Sequence, residues 1–430
     1  MSTHAELLAR HREVLPSWLA LYYDEPIALD RGEGRYVWDV EGNRYLDLFG
    51  GILTTMTAHA LPEVVKAVQE QAGKILHSST LYLIEQQIEL AERIAELAPM
   101  PDAKVFFTTS GTEANEAALL LACTARRSQQ VLALRNSYHG RSFATMAITG
   151  NRGWSASALS PVDVKYVHGG YRLRSPYRDL DDAAYIEACV EDLRDVLVTQ
   201  TAGDVACLIA EPIQGVGGFA TPPDGLFGAF KEVCEEYGIL YITDEVQTGW
   251  GRTGGHFWGI DAHGVTPDIL TFAKGLGNGL SMAGVVARAD LMDSITANSV
   301  STFGGNPLVC AGANANLSYL LDNDLQGNAA RVGGHLFEQL HARSPNWPAV
   351  AEVRGKGLMA GIELVHPGTR DPSPAAASAV LEATRERGVL VGKGGLHGNV
   401  LRIAPPLSIT VDEMDEGIAA LDVALSGSTA

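Results

Sequence analysis

Between about residues 100 and 310, short apolar runs alternate with longer stretches of helical pattern, and this alternation constrains the fold more than any other feature. Strand and helix repeated in that way build a parallel sheet covered by helices. Lys104-Val105-Phe106-Phe107-Thr108 reads as a first strand, followed by a helix over 113–126 that is rich in Ala and Leu. Further runs stand at 131–135, 205–210, 239–243 and 269–273, each bounded by turn or polar residues. The expected fold class is α/β, a mainly parallel sheet with helices on both faces. Ligands of such sheets collect beyond the carboxyl ends of the strands, so the residues that follow these runs matter most.

The rest of the chain follows other patterns. Residues 1–55 form an arm in which 35–39 and 44–47 flank Glu41-Gly42-Asn43 as a hairpin. That arm is too small to stand alone and is assigned to a smaller domain. Residues 56–315 make the large domain, and 316–430 a small α+β domain. The last part runs through an amphipathic helix, Gly-rich turns around Arg354-Gly355-Lys356-Gly357, and strands near 358–364 and 400–404. Pro372 to Ala377 is expected to be an exposed loop. At 430 residues the chain is long enough for one large core and a second smaller one.

Charge excludes several classes of partner. The chain carries 32 Lys+Arg against 51 Asp+Glu, a formal charge of -19, which repels nucleic-acid backbones and anionic lipid. Arg172, Arg174 and Arg178 form the nearest thing to a basic patch and are too few to mark a nucleic-acid groove. The five cysteines are odd in number, widely spread and without a C-x-x-C pair, so neither a disulfide framework nor a metal site is expected. No apolar run approaches ~18 residues and the start is polar, which together predict a cytoplasmic protein without a membrane span.

Three motifs carry chemistry. In Thr108-Thr109-Ser110-Gly111-Thr112-Glu113 a strand turns into a helix, with Ser110 three residues before Glu113 as in a capping box. Free N–H groups and the helix dipole at such a start suit a phosphate, although an ordinary capped helix has the same pattern. In Tyr241-Ile242-Thr243-Asp244-Glu245 an apolar strand ends in two acids at the ligand-facing end. Such an acid can be merely solvated, or it can keep a pyridine nitrogen protonated. In Ile269-Leu270-Thr271-Phe272-Ala273-Lys274-Gly275 a lysine closes an apolar run and opens a Gly-rich turn. A surface lysine fits there; so does an amine with a lowered pKa, ready to form a Schiff base.

Taken together, in this order on successive strand ends, the motifs resemble the class III (ornithine and ω-amino-acid type) aminotransferases among the fold-type-I pyridoxal-phosphate enzymes. The likeness covers nearly all 430 residues. It implies the pyridoxal-phosphate transferase fold of type I and pyridoxal 5'-phosphate as cofactor. By resemblance, Lys274 forms the Schiff base and moves the substrate proton, Asp244 pairs with the pyridinium nitrogen, and Gln247 hydrogen-bonds the ring hydroxyl. Ser110, Gly111 and Thr112 would cradle the phosphate and Tyr138, in Tyr138-His139-Gly140, would stack on the ring. Thr302, in Ser301-Thr302-Phe303-Gly304-Gly305, is similar to a threonine that reaches the neighbouring subunit's phosphate, which implies a homodimer, or a tetramer built from it, with shared sites.

Glu211, in Glu211-Pro212-Ile213-Gln214-Gly215, resembles an acid beside the cofactor and would also pass for a buried acid satisfied by backbone. Arg402, in Leu401-Arg402-Ile403, stands where the family binds a substrate carboxylate; on sequence alone it equally suits an exposed strand position. A guanidinium there fits a bidentate clamp. The stretches 210–216, 248–252, 256–259 and 354–359 look most like the alanine:glyoxylate and β-amino-acid:pyruvate branch. Val216 replaces the glutamate that masks this arginine in the ornithine and γ-aminobutyrate branches. The expected reaction moves an amino group from a small α- or β/ω-amino acid to pyruvate or glyoxylate, with a decarboxylase, racemase or aminomutase of the same fold as the alternative. Leu61, where relatives carry histidine before Pro62, and the loop from Gly169 to Asp179 depart from the family pattern.

Overall fold

The structure is a computed structural model and describes residues 3–427. Near the start, β1 (Leu29–Glu33), β2 (Tyr36–Asp39) and β3 (Arg44–Asp47) form an antiparallel ribbon at the expected hairpin. Asp39 organises its turn: one carboxylate oxygen accepts the N–H groups of Glu41 at 3.0 Å and Asn43 at 2.9 Å. Gly42 supplies the positive φ of +88° that the turn requires.

The central sheet contains β4 (Ala103–Thr108), β5 (Gln130–Leu134), β6 (Asp163–Val167), β7 (Cys207–Ala210), β8 (Leu240–Asp244), β9 (Ile269–Phe272) and β10 (Ala283–Arg288). Their order is β4-β10-β9-β8-β7-β5-β6. Only β10 runs against its neighbours, β4 on one side and β9 on the other. The link from Phe272 to Ala283 is shorter than the crossover of about a dozen residues that a parallel pair needs, so the return strand is antiparallel. Neighbouring side chains on a strand enter opposite cores. Leu132 and Leu134 join one apolar cluster while Val131 and Ala133 join the other. The helix Gly111–Arg126 covers the second cluster, and the helices Asp182–Gln200 and Leu226–Tyr237 cover the first. Helices on both faces are what keeps a parallel sheet dry.

The C-terminal part holds β11 (Val350–Lys356), β12 (Met359–Leu364), β13 (Val389–Leu390), β14 (Gly392–Gly394) and β15 (Val400–Ile403). Four of them make an antiparallel sheet in the order β11-β12-β15-β14, and β13 instead pairs in parallel with β3, so the arm shares a sheet with the C-terminal part. Two expectations are corrected. Arg354-Gly355-Lys356 is not a turn but the end of β11, paired with β12. Gly355 is there because its φ is +133° and because a Cβ would overlap the Met359 carbonyl. Pro372 to Ala377 is not an exposed loop either, since Ser373 and Ala376 are each 1% exposed. Ser373 caps the helix Pro374–Arg385 by accepting from Ala376 N–H at 3.3 Å, and Pro374 opens that helix. Leu61 fills a small apolar cluster with Ala58 and Val64 just before the helix Pro62–Ala72. Among the described residues no helix is long and apolar enough to cross a membrane.

Candidate active site

Beyond the carboxyl ends of β4, β5, β7, β8 and β9 lies a cavity of about 340 Å³. Ser110, Gly111, Thr112, Tyr138, Glu211, Asp244, Gln247 and Lys274 all line it, so motifs up to 164 residues apart, from Ser110 to Lys274, meet in one place. Arg402 and Thr302 do not line this cavity. Arg402 is buried in β15 beside the Gly215 carbonyl, and Thr302 is exposed to solvent.

At the β4 end, Ser110 adopts extended backbone and its hydroxyl accepts the N–H of Glu113 at 3.2 Å. Glu113 reaches past the cap to the N–H of Thr109 at 2.8 Å. Gly111 and Thr112 are left as the first helical residues, whose N–H groups have no acceptor inside the helix. Across from them, Gly140 is obligatory: a Cβ would stand 2.6 Å from the Thr145 hydroxyl and 2.7 Å from that of Thr112.

Asp244 closes β8 and is 3% exposed. One of its oxygens accepts from Asn115 Nδ2 and from His139 Nδ1, each at 2.8 Å, and the other accepts from Val246 N–H at 3.1 Å. Asn115 also donates to the His139 carbonyl at 2.8 Å and accepts from the Thr271 hydroxyl at 2.8 Å. The carboxylate is thus fixed in orientation by three elements. His139 Nε2 is buried without a partner.

Glu211, at the end of β7, accepts Tyr138 N–H at 2.9 Å and Gly215 N–H at 2.8 Å. Backbone thus satisfies the acid, which also lines the cavity. Burial pushes its carboxyl up to about 7; His139 and the two N–H donors pull it back while Asp244 pushes the same way as burial. Burial also raises the Tyr138 phenol, with the Arg141 charge opposing it. Lys274 has a φ of +45°, rare for a residue with a side chain, at the start of a 3-10 turn Lys274–Gly277. Burial lowers its ammonium, Asp244 and Glu211 oppose that, and Arg402 adds to it. An amine held below its ordinary range can act as a nucleophile. Asn316 secures the turn by donating to the carbonyls of Gly275 at 3.0 Å and Leu276 at 2.9 Å.

A family model described as aminotransferase class-III matches residues 21–425. The chain belongs to the class III aminotransferases. It is 38% identical over 422 residues, covering 98% of this chain and 87% of the relative, to the mitochondrial alanine–glyoxylate aminotransferase 2 homolog 2 of Arabidopsis thaliana. It is also 34% identical, over 98% of this chain and 95% of the relative, to a leucine/methionine racemase of Thermococcus litoralis. Among solved structures, an (S)-enantioselective omega-transaminase from Thermomicrobium roseum superposes with a TM-score of 0.92 at 34% identity, covering 100% of both chains. Likeness of that extent gives the aminotransferase the type I fold expected from its sequence.

Aminotransferases of this class depend on pyridoxal 5'-phosphate, and the cavity suits that group. Its donor set combines helix-start N–H groups for a phosphate with a fixed carboxylate for a ring nitrogen. Gln247 Oε1 is buried without a partner, and the Gln247 amide has its place only because Gly215 lacks a Cβ that would overlap it. Sequence reasoning missed His139, Asn115 and Asn316 as parts of this aminotransferase's site. His139 was legible in principle as the neighbour of Tyr138, and Asn115 as the residue one helical turn after Gly111. Asn316 carried no signal of its own.

Proposed function

We propose that this aminotransferase moves amino groups between a small α- or β/ω-amino acid and pyruvate or glyoxylate, with Lys274 as the amine that forms the Schiff base. The observation that carries this reading is the state of Arg402. It is 3% exposed, yet it has no ion pair among the described residues: it donates to the carbonyls of Gly215 at 3.3 Å and Lys393 at 3.1 Å, beside the Tyr22 hydroxyl. Its Nε has no partner, and it lies over the rings of Phe49 at 4.8 Å and Phe219 at 5.6 Å. Val216, which is apolar, stands where a masking acid would. A buried guanidinium without a carboxylate is costly, and a carboxylate-bearing substrate removes that cost.

The residues divide the work as follows. Bound pyridoxal phosphate supplies an electron-withdrawing pyridinium ring. Asp244, oriented by His139 and Asn115, would hold the proton on the ring nitrogen. Gln247 would reach the ring hydroxyl, Tyr138 would cover a ring face, and Ser110, Gly111 and Thr112 would hold the phosphate. Lys274 Nζ would take and return the proton at the substrate carbon, and Glu211 keeps Tyr138 and Gly215 in place. A racemase remains the competing outcome, since the Thermococcus litoralis relative carries that name.

The wider assignments belong to the same proposal. A homodimer with Thr302 completing the partner's phosphate site is supported by the exposure of Thr302 and by bare apolar side chains at Leu81, Tyr82, Leu83 and Phe303. The arm 1–55 and residues 316–430 are proposed as one small domain around the large domain 56–315, supported by the β13–β3 pairing. A cytoplasmic location is supported by five free cysteines.

A donor-by-acceptor screen tests the reaction. Alanine or a β-amino acid with pyruvate or glyoxylate should outperform ornithine, γ-aminobutyrate and putrescine, and Val216→Glu should raise KM for the small donors. A wide preference for putrescine or ornithine would overturn the reading, and product formed without any keto acid would favour racemisation. Inactive Lys274→Ala and Thr302→Asp chains, mixed and reassembled, should recover activity.

A further inference from the structure

Arg402 has a counterpart in its own sheet. The cross-strand register pairs Arg354 with Gly361, Gly361 with Arg402, and Arg402 with Gly392, so two arginines and two glycines form one row across β11, β12, β15 and β14. Directly paired residues share a sheet face. Each glycine leaves a gap that another group occupies. The Gly218 carbonyl lies over Gly361, where a Cβ would stand 2.8 Å from it, and the Phe49 ring lies over Gly392.

The two arginines hold the same turn at its two ends. Arg354 donates to the Gly218 carbonyl through Nε at 3.0 Å and Nη2 at 2.8 Å, while Arg402 donates to the Gly215 carbonyl. Between them, Gly395 N–H donates to the Val216 carbonyl at 3.0 Å. Gly218 and Phe219 both have positive φ, +91° and +51°, so the turn depends on such ties to keep its shape.

Arg354 is itself held. Glu363 is 0% exposed and accepts from Arg354 Nη1 at 2.6 Å, Tyr171 hydroxyl at 2.7 Å and Arg174 Nη2 at 2.7 Å. Asn399 Nδ2 also donates to it at 3.3 Å, and Glu352 pairs with Arg354 on the other side. Burial alone would raise the Glu363 carboxyl, but Arg354, Tyr171 and Arg174 outweigh it and hold it below its ordinary range. Tyr171 and Arg174 come from the loop between Gly169 and Asp179.

We infer that Glu363 and Arg354 are positioning residues for Arg402: anchored by Tyr171 and Arg174, they fix the Gly215–Gly218 turn and thereby set the affinity for the substrate carboxylate. The inference rests on the proposed role of Arg402. It assigns the 169–179 loop a task in specificity at a distance, without any contact to substrate.

The test uses holoenzyme carrying Glu363→Gln, Arg174→Met or Tyr171→Phe, the last removing a single hydroxyl so that one variant keeps its fold. Three quantities are read: the dissociation constant of propionate by calorimetry, the KM and kcat for alanine, and the affinity for pyridoxal phosphate. Glu363→Gln should weaken propionate and raise KM for alanine by about fivefold, with kcat and cofactor affinity changed less than about twofold. Tyr171→Phe should move the same two quantities the same way by about twofold. Unchanged propionate affinity in every variant that folds, or a loss of kcat and cofactor affinity in proportion, overturns the inference. Arg402→Ala run in parallel separates the two ideas. If it leaves propionate binding intact, the carboxylate role of Arg402 falls, and positioning falls with it; if it abolishes binding while the Glu363 and Tyr171 variants do nothing, only positioning falls.

Discussion

At the carboxyl ends of β4, β7, β8 and β9, Ser110, Glu211, Asp244 and Lys274 stand on or just after the last residue of an apolar run, whereas Arg402 stands inside β15 and meets its neighbours through cross-strand register. The two regions also differ in their electrostatics. Around the cavity, burial pushes Glu211 up to about 7, with Asp244 adding to it, and pushes Lys274 down against the pull of Asp244 and Glu211. In the arginine row Arg354 pairs with Glu352 and Glu363, the latter also held by Arg174, whereas Arg402 has no ion pair among the described residues. The contrast suggests that one region is arranged for chemistry and the other for holding a single guanidinium ready. Substitutions in the first should change turnover, and substitutions in the second should change affinity.

The largest expected effect is that of Lys274→Ala. Without its amine the protein should form no covalent link to the cofactor, and transamination should fall by about 10⁴-fold or more. Mass spectrometry after borohydride reduction checks this: the adduct belongs on Lys274 in the unaltered chain and on no residue in the variant. An adduct on another lysine breaks the assignment of the whole cavity.

Next comes the carboxylate and its support. Asp244→Asn should keep cofactor and lower kcat by about 10²–10³-fold, the range for loss of a preorganised charge. His139→Ala should cost about tenfold, as expected for one hydrogen bond to a charged group. Since His139 acts through Asp244, the double variant should be no worse than Asp244→Asn alone. Additive losses would mean that His139 has a separate task.

A smaller effect sharpens the contrast from the other side. Gly361→Ala places a Cβ 2.8 Å from the Gly218 carbonyl and should displace the turn between the arginines. KM for alanine should rise by about fivefold while kcat and cofactor affinity hold. Steady-state kinetics decide it, and a fall in cofactor affinity instead would join the two regions into one.

The smallest effect is on stability. Glu211 is raised from 4.5 to about 7 mainly by burial, so folding favours its protonated form. Its contribution is fully present below 4.5 and is lost as the pH rises through about 7. Apo-protein carrying Glu211→Gln should therefore lose less Tm across that window than the unaltered apo-protein, by about 2–4 °C. Parallel melting curves across that window measure it, and identical slopes would show that Glu211 stays ionised.

Much of the cavity was legible because strand ends are local. An apolar run followed by Asp244-Glu245 or by Lys274-Gly275 declares both the strand and the group at its mouth. The antiparallel return of β10 was less legible, since an apolar run does not state its direction; only the short link after Phe272 does. Arg354-Gly355-Lys356 was misread, while Gly357 does turn, because glycine in a strand and glycine in a turn look alike until a partner strand is in place. Pro374 was misread for a related reason, as a loop residue rather than the first residue of a helix capped by Ser373.

By itself, the sequence determined the α/β alternation, the order of the motifs and the identities of the groups at the strand ends, because each follows from periodicity and from residues a few positions apart. Tertiary structure alone decided that Asn115 and His139 share the Asp244 carboxylate, that Arg402 is buried without an ion pair among the described residues, and that Arg354 faces it across Gly361. Those facts depend on strand register, where a slip of one residue would turn Arg402 to the other face of the sheet.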